Sequence, residues 1–221
     1  MVDWKPSASL QNLQKRAQLL ANIRGFFSER GVLEVETPLL ASATVPDVFI
    51  ESIAAQVIDG AASSQKFLQT SPEYFMKRLL ASGSGSIYQI AKAFRQEEKS
   101  KRHNVEFTLL EWYRVSYSLD QLMTELEQLL QEVFACGPIP RLSYRELFQQ
   151  YLQMDPHQIS LEDLQRLAAK EVDLSSTDLS RTDYLQLLLG NSIEPQLPPF
   201  CFIYDYPKEQ AALAAIEEDE Q

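Results

Sequence analysis

The stretch 87-IYQIAKAFRQEEKSKRHNVEFTLLEWY-113 decides how the rest of the chain is read. Its first part, Ile87 to Phe94, is short, apolar and β-compatible; its last part, Glu106 to Tyr113, is rich in aromatic and other strand-favouring residues. Between them, Gln96 to Asn104 carries charges of both signs with no Gly or Pro. The pattern predicts a strand, a charged loop and a returning strand. Side chains alternate across a strand, so Phe107, Leu109, Glu111 and Tyr113 share one face and Glu106, Thr108, Leu110 and Trp112 the other. A carboxylate and a phenol then stand side by side among apolar groups, and Arg95 stands at the mouth of the same hairpin. An arginine, carboxylates, a histidine, an asparagine and an aromatic ring in one hairpin can hold a phosphate ester of a flat base.

Outward from this hairpin, 221 residues can bury a substantial core, as one large domain or one domain with an appendage. No apolar run is long enough to span a bilayer, and Met1 to Ser9 lacks a signal-peptide pattern, so the expected location is cytoplasmic. Cys136 and Cys201 are far apart, give no metal-ligand spacing and read as reduced, packed thiols; no metal-binding residues are expected. A net charge of −11 argues against non-specific nucleic-acid binding and favours a small ligand or a basic protein partner. Part of the excess lies in Glu217 to Glu220, which read as the end of an acidic tail over 208–221.

Ser9 caps a predicted helix from Leu10 to Glu29 with a stripe at Leu13, Ala17, Leu20, Ile23 and Phe27, and Gly31 ends it. Val32 to Leu40 reads as a strand, and Pro38, which cannot donate to a ladder, places it at an edge or against a partner. A subunit interface and an ordinary edge strand inside a monomer fit that pattern equally. A strand near Val48 to Ile53 and a small-residue loop at Gly60 to Ser64 suggest a surface hairpin. In FLQTSPEYFMKRLL, Ser71 suits an N-cap, Pro72 the first helical position and Glu73 the first turn. Pattern alone favours a plain helix start there over a carboxylate placed to grip an ammonium group. Beyond the hairpin, Ser118 with Gln121 caps Leu119 to Ala135, Ser143 with Glu146 caps a short helix, and Ser160 with Asp163 caps Leu161 to Lys170. A further helix spans about Thr182 to Leu189, and Phe200 to Pro207 reads as a buried strand returning to the sheet. Strands on either side of a helical insertion at about 141–191 predict an α+β domain over 1–207.

At this point the residues resemble the catalytic domain of class II aminoacyl-tRNA synthetases of the lysyl branch, in particular its stand-alone paralogues that ligate lysine to elongation factor P. GVLEVETPLL is similar to motif 1 of that class, TSPEYFMKRLL to the substrate-binding segment after it, and FRQEEKSKRHNVEFTLLEWY to motif 2. Three matches in order reach across nearly the whole chain, where a lone FRxE would be weak. The resemblance implies an antiparallel sheet flanked by helices and a homodimer formed through motif 1. It also implies activation of lysine or (R)-β-lysine by ATP with Mg²⁺, then transfer to an acceptor.

By position, the resemblance puts Arg95 on the α-phosphate as the catalytic cation, Glu97 on the adenine amino group, and His103 and Asn104 on the nucleotide, with Phe107 stacked on adenine. It puts Glu73, beside Ser71, on the backbone-side amine of the substrate, and Glu111 with Tyr113 on its distal ammonium. No anticodon-binding segment stands ahead of motif 1, so the implied acceptor is a lysine side chain of elongation factor P rather than tRNA. Two departures stand out. Val105 replaces the usual proline, and after Pro207 no Gly-rich motif 3 with its γ-phosphate arginine follows. The sequence therefore leads us to expect a truncated chain, weak or inactive in adenylate formation. A non-catalytic, synthetase-derived binding protein and a fragment of a lysyl-tRNA synthetase are the competing readings.

Overall fold

The computed structural model describes residues 4–46, 50–60, 62–96, 103–172, 179–211 and 214–216. The chain forms two compact units, Met1–Ala135 and Cys136–Gln221. In the first, helix α1 (Leu10–Glu29) starts where the Ser9 hydroxyl accepts from the Asn12 amide at 3.2 Å, and Gly31, at φ +64°, follows its last turn. Only its C-terminal half is buried: Ile23, Phe26 and Phe27 pack with Val32, Tyr88 and Leu129, and Leu110 and Trp112 lie against them. The Phe27 ring stacks on Tyr88 at 4.5 Å between centroids and meets Trp112 at 5.7 Å. Burying such a ring contributes about 2–3 kcal/mol. The N-terminal part of the predicted stripe finds no cover among the described residues, and Leu13 remains 49% exposed.

The expected strand over Val32–Leu40 is split. Strand β1 (Leu33–Glu34) runs parallel to Ile87 and Tyr88, and β2 (Leu40–Ala41) pairs antiparallel in another sheet. Between them the Val35 amide still reaches the Tyr88 carbonyl, but Pro38 has no N–H to offer and the Thr37 hydroxyl turns to Gln89. The segment thus leaves one sheet and enters the next.

Strands β3 (Ala54–Asp59) and β4 (Ala62–Leu68) make the anticipated hairpin, with Gly60 at φ +58° in the turn. Its strands begin elsewhere than expected. Ile50 to Ile53 lie outside any strand, and Ser63 and Ser64, read as loop, sit in β4 opposite Ile58 and Val57. Backbone pairing propagated from Phe67 and Leu68 overrides their weak strand propensity.

Helix α2 (Glu73–Ala81) follows, then β5 (Ile87–Phe94) and β6 (Glu106–Tyr113), an eight-pair antiparallel ladder from Ile87↔Tyr113 to Phe94↔Glu106. These bounds match the sequence reading residue for residue. Sheet order β1-β5-β6 is mixed, its one parallel pair lying at the β1 edge. Helix α3 (Leu119–Phe134) closes the unit behind a capping box of Ser118 and Gln121.

The second unit is helical around a dense core. Strand β7 (Arg141–Ser143) leads into α4 (Tyr144–Leu152), followed by α5 (Leu161–Glu171) and α6 (Arg181–Leu188), all started by serine caps. A π-turn at Leu189–Ile193 and a 3₁₀ turn at Glu194–Gln196 extend α6. Tyr144, Leu147, Phe148, Leu164, Tyr184 and Leu188 are buried together. Strand β8 (Phe202–Tyr204) is shorter and less buried than expected from the Phe200 to Pro207 run, and its ladder partner is the three-residue β7, parallel to it. Both cysteines are free thiols, and burial pushes that of Cys201 up. Among the described residues no helix is long and apolar enough to cross a membrane. Glu217 to Gln221 lie outside the described residues.

Candidate functional site

The β5–β6 ladder sets the geometry of the site. On one face it aligns Ile87, Gln89, Ala91 and Ala93 opposite Tyr113, Glu111, Leu109 and Phe107. The other face carries Tyr88, Ile90, Leu110 and Trp112 against the aromatic core under α1. The register of this ladder sets Glu111 and Tyr113 on the face opposite Trp112.

At one end of the site face stands a carboxylate held by hydroxyls. Glu111 Oε2 accepts from Ser71 Oγ at 2.8 Å, and Oε1 accepts from the Tyr113 phenol at 2.7 Å. Ser71 Oγ also accepts from the Glu73 amide at 3.1 Å, so one hydroxyl both starts α2 and orients Glu111. Ser71 lies one residue before the helix cap position, which Pro72 occupies, an ordinary one-residue shift at a helix end. The Tyr113 phenol is pushed well above the ordinary tyrosine range, chiefly by burial, then by its bond to Glu111 and by the charges of Glu111 and Glu73. Among the described residues no cation pairs with Glu111. Glu73, by contrast, is engaged by Lys77 at 2.6 Å one helical turn on.

At the other end stand Arg95 and Phe107. The Arg95 Nε donates to the Thr70 carbonyl at 3.3 Å, and its guanidinium carbon lies 5.1 Å from the Phe107 ring centroid. The Arg95 amide closes the hairpin on the Val105 carbonyl at 3.0 Å. His103 and Asn104 are exposed beyond this point. Glu97 lies outside the described residues. Phe107 and Glu111 are four residues apart on one strand face, roughly 13 Å, so the cationic-aromatic end and the anionic end belong to one elongated surface.

Two buried amides escaped the sequence reading. Gln89 is 3% exposed directly opposite Glu111, and its Oε1 accepts from Thr37 Oγ1 at 3.0 Å. Gln69 is 6% exposed; its Nε2 donates to the Lys92 carbonyl at 2.7 Å, while its Oε1 has no protein partner. For Gln89 the available signal was a glutamine inside a mostly apolar strand, since a buried amide is rarely left without a bond; Gln69 follows the end of β4 and carried no such signal.

A cavity of about 470 Å³ opens away from these residues, lined by Arg24, Leu33, Glu34 and Tyr88 among others. There the Tyr88 phenol donates to Glu34 at 2.9 Å and is pushed up to about 12 by burial and that carboxylate. The hole is open and its polar groups satisfy one another, so we place the chemistry on the β6 face. Among the described residues no three His, Cys, Asp or Glu side chains are grouped to hold a metal ion.

A surface with a carboxylate poised by neutral donors at one end and an arginine over an aromatic ring at the other suits an elongated amine joined to a nucleotide phosphate. The model of the family described as tRNA synthetases class II (D, K and N) matches residues 1–221. An elongation factor P--(R)-beta-lysine ligase of Proteus mirabilis is 46% identical over 227 residues, covering 100% of this chain and 70% of that protein. Proteins of the same name from Erwinia tasmaniensis and Vibrio vulnificus are 45% and 46% identical, covering 98% and 97% of this chain and 69% and 68% of theirs.

Proposed function

The chain belongs to the class II tRNA synthetases of the D, K and N group, and from that premise we propose that it is an ATP-dependent ligase that activates (R)-β-lysine or lysine and passes it to a lysine side chain of elongation factor P. The observation that supports this best is Glu111, which accepts from Ser71 and Tyr113 and pairs with no cation among the described residues.

In this reading the distal ammonium of the substrate supplies the missing charge at Glu111. Its other amine meets Glu73, displacing Lys77. The substrate carboxylate then faces the Arg95 end, where Phe107 stacks on adenine and Arg95 binds the α-phosphate. Glu97, His103 and Asn104 complete the nucleotide contacts. A carboxylate oxygen attacks the α-phosphorus, and the bond to the bridging oxygen breaks with release of pyrophosphate. Arg95 stabilises the charge that gathers on the phosphoryl oxygens. The acceptor ε-amine next attacks the acyl carbon, losing a proton as AMP leaves with the bonding pair. The chain supplies alignment and charge, with no covalent enzyme intermediate.

A homodimer through α1 and the segment after it belongs to the same proposal. Leu10, Leu13, Leu33 and Leu40 are between 41% and 71% exposed along it, the kind of apolar surface that a second copy covers. The net charge of −11 supports a protein acceptor over a polyanionic tRNA. The test is isothermal titration of the chain with (R)-β-lysine, L-lysine and ATP. Binding of a lysine and of ATP is expected, with glutamate rejected; a chain that binds neither lysine would overturn the proposal.

A further inference from the structure

The face of β6 turned away from the site is held by an unusual group. Glu125, on α3, is 5% exposed. One of its oxygens, Oε2, accepts from the Trp112 indole at 3.2 Å; the other lies 3.2 Å from Arg114 Nε, with both side chains of that pair under 10% exposed. The Arg114 contact is an ion pair rather than an aligned hydrogen bond. The same guanidinium donates to the Tyr117 hydroxyl and lies 4.4 Å over its ring.

Trp112 and Arg114 are alternate residues, so one carboxylate grips two successive side chains on one edge of the backbone. The residue between them is Tyr113, and the one before Trp112 is Glu111. Both project to the opposite face, where they are bonded to each other. The end of β6 and the residue after it are therefore tied from behind to Glu125. The nucleotide end is held separately: Thr108, beside Phe107, accepts from Arg16 of α1 at 2.8 Å, and Phe107 is six residues from Tyr113, roughly 20 Å along the strand.

We propose that Glu125 is a positioning residue for the amino-acid pocket, setting the orientation of Tyr113 and Glu111 from behind the sheet. The proposal rests on the reading that Glu111 and Tyr113 bind the distal ammonium. It separates Glu125 from a purely structural ion pair by a selective consequence: loss of the grip misplaces the lysine end and spares the ATP end.

The experiment is titration of the whole 221-residue chain with (R)-β-lysine and, separately, with ATP. Glu125→Gln keeps an acceptor for Trp112 but loses the charge that holds Arg114. Its lysine affinity should fall by on the order of tenfold while ATP affinity stays within about twofold, since small displacements of binding groups are felt steeply. Trp112→Phe removes only the indole donor and keeps the ion pair and most of the packing, and should weaken lysine by a few-fold, again without ATP. Equal losses for both ligands, or unchanged lysine affinity in a folded variant, would overturn the proposal. Should Glu125→Gln fail to fold, Trp112→Phe decides alone. Lack of lysine binding by the unaltered chain is a different failure: it removes the pocket reading itself and this inference with it.

Discussion

Two glutamates on opposite sides of one strand, half-buried Glu111 and buried Glu125, are held in contrasting ways. Each is bonded through both oxygens, and each has an aromatic donor, the Tyr113 phenol in one case and the Trp112 indole in the other. Glu125 adds a guanidinium, which cancels its charge inside the protein. Glu111 adds only the Ser71 hydroxyl, which keeps its charge. A carboxylate neutralised from within holds the chain together, whereas in the proposed reading one that meets only neutral hydroxyls takes its cation from the substrate.

The sharpest way to break that contrast is to neutralise each in turn. Glu111→Gln should cost roughly a hundredfold to a thousandfold in lysine affinity, about 3–4 kcal/mol, with a urea midpoint close to the unaltered chain because the amide still bonds Ser71 and Tyr113. Lysine affinity within threefold would make Glu111 another structural carboxylate. Glu125→Gln should instead cost about 3 kcal/mol of unfolding free energy by leaving Arg114 buried and unpaired. Replacing both members, Arg114→Met with Glu125→Met, should return most of it; a double variant as unstable as the single one would deny that the pair is neutralised internally.

Smaller effects refine the Glu111 side. Ser71→Ala removes one of two hydroxyls and the donor-acceptor link to the Glu73 amide, so lysine binding should weaken about tenfold, near 1.4 kcal/mol, as read by the same titration. An unchanged value would leave Tyr113 as the sole hydroxyl that matters. The Tyr113 phenol gives the smallest signal. Its folded form holds the proton beyond the ordinary tyrosine pKa of about 10, so its contribution to stability is present below that pH and declines as pH rises past it. Urea midpoints at pH 9 and pH 11 should therefore fall less in Tyr113→Phe than in the unaltered chain. Parallel falls would mean that this phenol is not specially held.

Legibility in the sequence followed the range of the interaction. The helix starts at Ser9, Ser118, Ser143 and Ser160 are three-residue signals and stand where the sequence puts them. The β5–β6 hairpin was legible to the residue because two short runs rich in apolar and strand-favouring residues flank a charged loop. The split of Val32–Leu40 was not, since its cause, the bond from Thr37 to Gln89, joins residues 52 apart. Strand β7 was also missed: three residues, RLS, become a strand only because β8 lies beside them.

The site was half legible for the same reason. Alternation placed Glu111 beside Tyr113 and away from Trp112, but not Ser71 beside Glu111. Glu125 did leave a trace, since it falls between Leu122 and Leu129 on the apolar stripe of α3, where a charge needs a buried partner. Which partner it takes is a tertiary fact.

The bond from Ser71 to Glu111, with the Thr37–Gln89 bond beside it, has a consequence for synthesis on the ribosome. Its closing contacts span 40 and 52 residues, and every one lies within the first 113 residues of the chain. Together with α3 they belong to a unit complete by Ala135. The Ser71–Glu111–Tyr113 cluster can therefore take shape as soon as that much chain has emerged from the ribosome, in the order expected when amino-terminal units fold first.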